Sequence, residues 1–295
     1  MKAAPFEYFR AADIDEACAL LAADENARVI AGGQSLVPIM AMRLARPTRL
    51  IDISRIAGLS YIRNDNGGVA IGATTRQCVI ERDALVASDL PLLARAVPFI
   101  GHAATRARGT IGGSLAHADP AAELSLIAVT LDAVLSYRTG GKTLEVPARE
   151  FFVGPMITSL PAGACLTSVK FPVWHGEKIG VAFHEVNARR SDFAFVSAAA
   201  QIELGADGKC KRIALGLGAA TDFPMRLEAA EQQLTGITLD DDKVKEAVRA
   251  ALADIEPLSD LHASADYRRR VAASLAGRAF TDALRDAQGS KAHAH

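Results

Sequence analysis

Two segments of the chain carry a Gly-Gly pair between apolar residues, and they constrain the fold more than any other feature. The first covers residues 29–40 (VIAGGQSLVPIM) and the second covers residues 109–123 (GTIGGSLAHADPAAE). In each segment an apolar run stops at the two glycines, a short polar residue follows, and an apolar or helix-forming run resumes. This pattern predicts a strand, a tight glycine turn and the start of a helix, placed twice in the chain.

Glycine turns of this kind are suited to binding an anion. Glycine adopts backbone angles closed to other residues and carries no Cβ to hold a ligand away. Unpaired N–H groups at a helix start carry partial positive charge, and Ser35 and Ser114 would add hydroxyl groups. Two such segments could bind the two phosphates of a dinucleotide. The alternative is that each Gly-Gly pair only marks a surface turn.

Length and composition favour two ordinary domains over one large core. The chain has 295 residues, half of them hydrophobic, and a formal net charge of −1. Charged residues are interspersed without a basic block, so nucleic acid is not expected as a partner. Because no apolar run reaches the roughly 18 to 20 residues of a membrane span, and residues 1–10 lack a signal-peptide pattern, we expect a cytoplasmic protein.

The cysteines predict that the chain holds no metal centre of its own. They are far apart in sequence and form no Cys-x-x-Cys motif and no Cys/His cluster with metal-ligand spacing. The four cysteines are Cys18, Cys78, Cys165 and Cys210.

Hydrophobic periodicity and turn residues predict an α+β fold in two parts. The first part, residues 1–174, contains both Gly-Gly segments and ends where residues 172–176 (PVWHG) break the pattern. The second part, residues 175–286, reads as three strands followed by three helices. Residues 287–295 are expected to form a disordered tail.

The chain lacks the motifs of several common sites. Its nearest approach to Gly-x-Gly-x-x-Gly, at residues 216–218, has no third glycine, and it has no phosphate-loop lysine motif, Gly-x-Ser-x-Gly elbow or His-Glu-x-x-His helix. A Rossmann site, nucleophilic hydrolysis and zinc chemistry therefore lose support. His102, His117 and His184 are more often structural than catalytic in such settings, and no catalytic residue is assigned.

Three segments resemble the signature segments of the flavin-binding medium subunit of molybdenum hydroxylases, the group of carbon monoxide dehydrogenase and xanthine dehydrogenase. They are residues 31–36 (AGGQSL), 108–113 (RGTIGG) and 187–194 (NARRSDFA). Residues 264–269 (SADYRR) also resemble the final helix of this family. The resemblance therefore covers almost the whole chain.

The resemblance implies a fold and a cofactor. Residues 1–174 would form an FAD-binding domain of the vanillyl-alcohol oxidase (PCMH) type with two α+β subdomains. Residues 175–286 would form a domain like the carbon monoxide dehydrogenase flavoprotein C-terminal domain, a three-stranded antiparallel sheet with a helical bundle. FAD would bind non-covalently, with its pyrophosphate between the two Gly-Gly segments.

The resemblance also implies which residues bind FAD. The pyrophosphate role falls on two groups of residues, Ala31, Gly32, Gly33, Gln34, Ser35 and Leu36, and Thr110, Ile111, Gly112, Gly113 and Ser114.

Four more positions carry over from the family. Ile100 falls where a side chain packs on the adenine, with a core residue at a helix end as the alternative. Glu123 falls where the family often has an Asp that hydrogen bonds cofactor hydroxyls. Leu166 and His184 fall near positions that line the isoalloxazine, and xanthine-oxidising relatives have a Lys at the position of His184. A charged group there would stabilise reduced flavin more than a neutral histidine.

Residues 189–193 (RRSDF) resemble a loop beside the flavin ring. Its arginines could steer an anionic electron acceptor or pair across a subunit interface, and Phe193 could cover the ring. The alternative is a charged turn between two strands.

The function implied by the resemblance is electron transfer. A substrate would be hydroxylated at a molybdenum cofactor on a large subunit, and electrons would cross two [2Fe-2S] clusters on a small subunit to the FAD of this chain. An external acceptor such as a quinone, NAD, a cytochrome or oxygen would receive them. The family expectation is a dimer of heterotrimers.

Two other classes of function stay open. A self-contained FAD-dependent oxidoreductase of the same domain type would need its own substrate pocket over the flavin, and the short second part offers no clear acid-base pair for it. A scaffold that kept the fold and lost the cofactor is disfavoured by the intact Gly-Gly segments.

Overall fold

The computed structural model describes residues 2–289 of the chain. The elements of the first part, in chain order, are β1 (Glu7–Arg10), α1 (Ile14–Ala22), β2 (Arg28–Ile30), α2 (Leu36–Ala41), β3 (Arg49–Asp52), β4 (Ile62–Asp65), β5 (Gly68–Gly72), α3 (Gln77–Ile80), α4 (Ala84–Asp89), α5 (Pro91–Ala96), a 3-10 turn (Val97–Phe99), α6 (Ala103–Arg106), α7 (Ile111–His117), α8 (Glu123–Thr130), β6 (Val134–Thr139), β7 (Lys142–Pro147), α9 (Ala148–Phe151), β8 (Phe152–Gly154), β9 (Ile157–Thr158) and β10 (Cys165–Pro172). Those of the second part are β11 (Ile179–Asn187), β12 (Ala194–Leu204), β13 (Cys210–Gly218), β14 (Met225–Arg226), α10 (Glu228–Leu234), α11 (Asp241–Ala251) and α12 (Ala265–Ala287).

The first part contains two sheets of different kind. Strands β1, β3 and β2 form a parallel sheet in that order, with Glu7 of β1 opposite Arg49 of β3. Strands β4, β5, β10, β6 and β7 form an antiparallel sheet. Each sheet has its own buried cluster, one around Ile51 and a larger one that includes Val169 and Leu126. The first part is therefore two α+β subdomains.

The second part is an antiparallel sheet with helices on one face. Its strand order is β11, β12, β13 and β14, and the two-residue strand β14 adds a short fourth strand to the three expected. Alternate residues of β12 face opposite sides. Ala198 and Ala200 belong to the core that α12 completes, while Ala199 belongs to the core of the first part. The sheet thus joins both parts, and the α+β fold is confirmed.

The second Gly-Gly pair does not follow a strand, so the expected strand and turn are wrong for this segment, whereas the expected helix is present. Gly112 and Gly113 lie inside α7. The Thr110 hydroxyl caps this helix by accepting a hydrogen bond from the Gly113 N–H at 3.1 Å. A Cβ on Gly112 would lie 2.5 Å from the Cβ of Ala73, so glycine lets the helix pack closely there.

Two helix boundaries also differ from the expectations. Pro120 suits the first turn of a helix and predicts one that runs to about residue 130. The helix found there, α8, starts at Glu123, because the Pro120 carbonyl accepts from the Ala219 N–H at 2.8 Å and the chain turns first. The helical pattern of residues 76–85 predicts one helix, and the structure divides it into α3 and α4. Asp83 separates them, since its side chain accepts from the N–H groups that begin α4.

The end of the chain differs partly from the expected tail. Ala287 is the last residue of α12 rather than the first of a disordered segment. The rest of the prediction, residues 290–295, lies outside the described residues. Within residues 2–289, no helix combines the length and the apolar character needed to cross a membrane.

Candidate functional site

A cleft of about 550 Å³ lies where both subdomains and the second part of the chain meet. The ends of β2 and β3 line one side, with Ile30 and Ile53. Helices α7 and α8 and the start of β10 line the other side. The turn before β12 contributes residues 191–193 to the rim. Both Gly-Gly segments therefore face one cleft, although they are almost 80 residues apart in the sequence.

The first Gly-Gly segment presents free backbone donors to this cleft. Among the described residues, the N–H groups of residues 32–36 have no hydrogen-bond acceptor. Gly33 has a φ of +69°, a left-handed conformation that favours glycine. The turn thereby exposes consecutive amides and places the Ser35 hydroxyl at the start of α2. Such a run of donors suits an anionic oxygen.

The second segment uses most of its amides within the protein. The Gly112 N–H donates to the Ala73 carbonyl at 2.9 Å, and the Ser114 N–H donates to the Thr110 carbonyl at 3.1 Å. Together with the bond from Gly113 to the Thr110 hydroxyl, this leaves few donors for a ligand. The segment instead supplies shape and the Ser114 hydroxyl, so the two segments are not equivalent.

The cleft brings most of the sequence-predicted residues together. Of the predicted set, those lining it are Ala31, Gly32, Gly33, Gln34, Ser35, Leu36, Ile100, Thr110, Gly112, Gly113, Ser114, Glu123 and Leu166. Ile111 is fully buried beneath them.

His184 lies apart from this group. Its Nε2 is 2.9 Å from Asp282 Oδ2, on the face of β11 that α12 covers. Burial lowers the pKa of His184, and the Asp282 carboxylate opposes this shift. The structure thus gives His184 a partner outside the cleft.

Residues 4–174 match the sequence family described as the FAD binding domain in molybdopterin dehydrogenase. The chain belongs to this molybdopterin dehydrogenase FAD-binding family. A second family, the carbon monoxide dehydrogenase flavoprotein C-terminal domain, matches residues 181–283. The resemblance found in the sequence is therefore confirmed.

Full-length relatives of this FAD-binding family agree with that membership. The alpha subunit of the 6-hydroxypseudooxynicotine dehydrogenase complex of Paenarthrobacter nicotinovorans is 36% identical over 99% of this chain and 98% of its own. A chain of carbon monoxide dehydrogenase from Hydrogenophaga pseudoflava superposes with a TM-score of 0.93 at 33% identity, covering 97% of this chain and 99% of that one. A chain of quinoline 2-oxidoreductase from Pseudomonas putida 86 has a TM-score of 0.91 at 34% identity, covering 98% and 99%.

The residues of the cleft fit the cofactor that the family name implies. The free N–H groups of residues 32–36 are donors for a diphosphate. Ile100 and Leu166 give apolar walls on which flat rings can pack, being 8% and 5% exposed. The chain is thus an FAD-binding oxidoreductase subunit of the molybdenum hydroxylase family.

Two carboxyl groups in or beside the cleft are poised to hold protons. Burial raises the pKa of Glu123 to about 7, with a smaller contribution from the Asp119 carboxylate. Burial and the nearby Glu123 raise the pKa of Glu185 to about 8. Glu185 Oε1 accepts from the Asn187 side chain at 2.8 Å, whereas Oε2 is buried without a partner among the described residues. At neutral pH the Glu123 carboxyl at the cleft is therefore partly protonated.

Nothing in the sequence indicates Glu185 or Gln77 as functional residues. Gln77 starts α3 and lines the cleft, yet it is only 5% exposed. A single Gln or Glu outside any motif carries no chemical signal. Both emerge only in the fold, which places Gln77 beside Gly109 and Glu185 near Glu123.

Proposed function

We propose that this chain is the FAD-carrying electron-transfer subunit of a molybdenum-containing dehydrogenase built from three kinds of subunit. A large subunit holds the molybdenum cofactor and oxidises the substrate, and a small subunit with two [2Fe-2S] clusters delivers the electrons to this chain. This chain passes them to an external acceptor. The complex is a dimer of such heterotrimers and works in the cytoplasm.

The observation that carries the proposal is the cleft with free amides at residues 32–36 opposite Ser114. Relatives of nearly the same length add support, because they are named as single chains of larger enzymes. Examples are the glyceraldehyde dehydrogenase medium chain of Sulfolobus acidocaldarius and the nicotine 6-hydroxylase medium subunit of Paenarthrobacter nicotinovorans. A chain that covers these medium subunits from end to end needs partners for the remaining chemistry.

In this proposal the residues of the chain bind and orient the cofactor. The amides of residues 32–36 and the hydroxyls of Ser35 and Ser114 hold the diphosphate. Ile100 and Leu166 flank the rings and exclude water. The Glu123 carboxyl, whose raised pKa of about 7 keeps it partly protonated at neutral pH, donates or accepts a hydrogen bond at a cofactor hydroxyl. Bound FAD supplies redox chemistry, since it accepts electrons and releases them to an acceptor.

The mouth of the cleft is suited to electron exchange. Phe193 is 74% exposed at the rim, and the turn that carries it is held by an ion pair of 3.0 Å between Arg189 and Asp192. Ser191 in the same turn has a φ of +71°. The turn can cover the flavin ring while leaving the rim open to a partner.

The experiment that tests the proposal compares the chain purified alone with the chain co-expressed with its large and small subunits. We expect a flavin absorption band in both preparations, iron–sulfur absorbance only in the complex, and substrate oxidation only in the complex. Substrate oxidation by the isolated chain would instead support a self-contained FAD-dependent oxidoreductase. Failure to co-purify with either subunit would contradict the proposed partners.

A further inference from the structure

Gln77 is a buried polar residue whose side chain has no partner in the protein. It lines the cleft and is only 5% exposed. Within residues 2–289 neither atom of its amide takes part in a hydrogen bond, and Oε1 is fully buried. Buried amides are nearly always hydrogen bonded in native proteins, so an unpaired one at a cleft indicates a partner outside the chain.

The second Gly-Gly segment holds this amide in place. The Gln77 backbone N–H donates to the Gly109 carbonyl at 2.9 Å. A Cβ on Gly109 would lie 2.5 Å from Gln77 Oε1, so glycine at this position leaves room for the amide. The Gly109 N–H in turn donates to the Thr105 carbonyl at 2.7 Å. These bonds hold the backbone of Gln77 beside the segment, and its side-chain oxygen lies in the space that Gly109 leaves.

A second buried glutamine provides a matched comparison for Gln77, because it lies away from the cleft. Gln201 on β12 is 3% exposed, and its Oε1 also has no hydrogen-bond partner among the described residues. Gln201 is not among the residues that line the cleft. The two side chains thus share chemistry and burial and differ in access to a ligand.

We propose that Gln77 is a further cofactor-binding residue, whose side-chain amide hydrogen bonds to FAD in the cleft. Nε2 donates to an oxygen of the dinucleotide, while Oε1, which has no exposed surface, stays beside the backbone of Gly109. This inference rests on the proposed function, because it requires FAD in this cleft.

The test uses the full-length chain and the variants Gln77→Met and Gln201→Met. Methionine is unbranched and of similar length, and it has no amide to satisfy. FAD affinity is measured by fluorescence titration, and thermal unfolding is measured without FAD. We expect Gln77→Met to weaken FAD binding about tenfold, as for the loss of one hydrogen bond in a buried site. Gln201→Met should bind FAD within twofold of the unmodified chain.

The unfolding measurements separate binding from packing. Without FAD, both variants should unfold at the same temperature as the unmodified chain or higher, because each loses an unpaired buried amide. Gln77→Leu repeats the test with another apolar side chain if Gln77→Met does not fold. Unchanged FAD affinity in the Gln77 variants, or equal weakening in Gln201→Met, would overturn this inference while leaving the proposed function intact. No FAD binding by the unmodified chain would overturn both.

Discussion

Gly32 lies directly against the carbonyl oxygen of Arg108, so the two Gly-Gly segments touch at one point. A Cβ on residue 32 would lie 2.4 Å from that oxygen and 2.9 Å from the Cα of Gly109. Both neighbours are backbone atoms, which cannot rotate away as the end of a side chain can. This contact sets the distance between the segments and hence the shape of the cleft.

The variant Gly32→Ala should separate the two segments. We expect it to weaken FAD binding at least tenfold and to lower the free energy of unfolding by about 1–3 kcal/mol, as for overpacking. Gly277→Ala is the matched control, because a Cβ there in α12 meets no atom within 4 Å. It should leave FAD affinity unchanged and stabilise the chain by about 0.5–1 kcal/mol. FAD titration measures the affinity of both variants, and urea denaturation measures their free energy of unfolding. Normal FAD affinity in Gly32→Ala would contradict this account of the contact.

Stability should depend on pH through the carboxyl pair. The pKa values of Glu123 and Glu185, about 7 and about 8 in the fold, lie above the ordinary glutamate value of 4.5. The folded chain therefore retains protons that the unfolded chain has lost, and this contribution to stability is full below pH 4.5 and lost as pH rises through 7 to 8.

Removing one carboxyl of this pair should change that profile. Glu185→Gln should be more stable than the unmodified chain at pH 8.5, and the difference should disappear near pH 4. Urea denaturation at the two pH values measures it. Glu145→Gln on the exposed strand β7 is the control and should show no such difference. A pH-independent effect of Glu185→Gln would contradict the pKa assignment.

Arg226 joins the two parts of the chain through one buried and one partly exposed carboxylate. Its guanidinium pairs with Asp132 of the first part, and its Nε donates to Glu231 Oε1 at 3.0 Å in the second part. Because Glu231 is only 7% exposed, Arg226→Met would leave a buried carboxylate without its charge partner. We expect a loss of about 3–5 kcal/mol in the free energy of unfolding.

The control for this prediction is an exposed ion pair. Lys245 lies 3.7 Å from Asp242 on the surface of α11. Lys245→Met should change the free energy of unfolding by less than about 1 kcal/mol, as is usual for surface pairs. Equal effects of the two substitutions in urea denaturation would show that Arg226 is not a buried link between the parts.

A substitution of His184 tests whether this residue belongs to the FAD site. Its side chain bonds Asp282 of α12 and is not among the residues that line the cleft. His184→Gln should therefore keep FAD affinity within twofold, measured by fluorescence titration. A loss of tenfold or more would place His184 beside the flavin, as the family resemblance implied.

The sequence predicts those elements whose formation depends on residues close together in the chain, such as helix caps and hairpins. Asp13, followed three residues later by Glu16, predicts the start of the first helix. The structure confirms it, since Asp13 Oδ1 accepts from the Glu16 N–H at 2.8 Å. The hairpin of β6 and β7, turning at Gly140 and Gly141, also follows from alternation and glycine placement. The three long strands of the second part were expected for the same reason.

Features set by distant contacts could not be predicted in this way. Gly112 resembles a turn residue in the sequence, and only its close contact with Ala73 explains why a helix has glycine at this position. The hairpin of β8 and β9 was missed, because two- and three-residue strands are too short for a periodic signal. The unpaired amide of Gln77 depends on the fold as a whole. The sequence could therefore indicate the Gly-Gly segments of the site, but not how their amides are used.

The most direct test of the central claim is the absorption and fluorescence of the full-length chain titrated with FAD. The account predicts a bound flavin with a band in the blue, which is lost when Gly33 is replaced by Val, because φ at this position is +69° and the free amides would be displaced. A colourless chain that does not respond to added FAD, or a Gly33→Val variant that binds FAD as well as the unmodified chain, would contradict it.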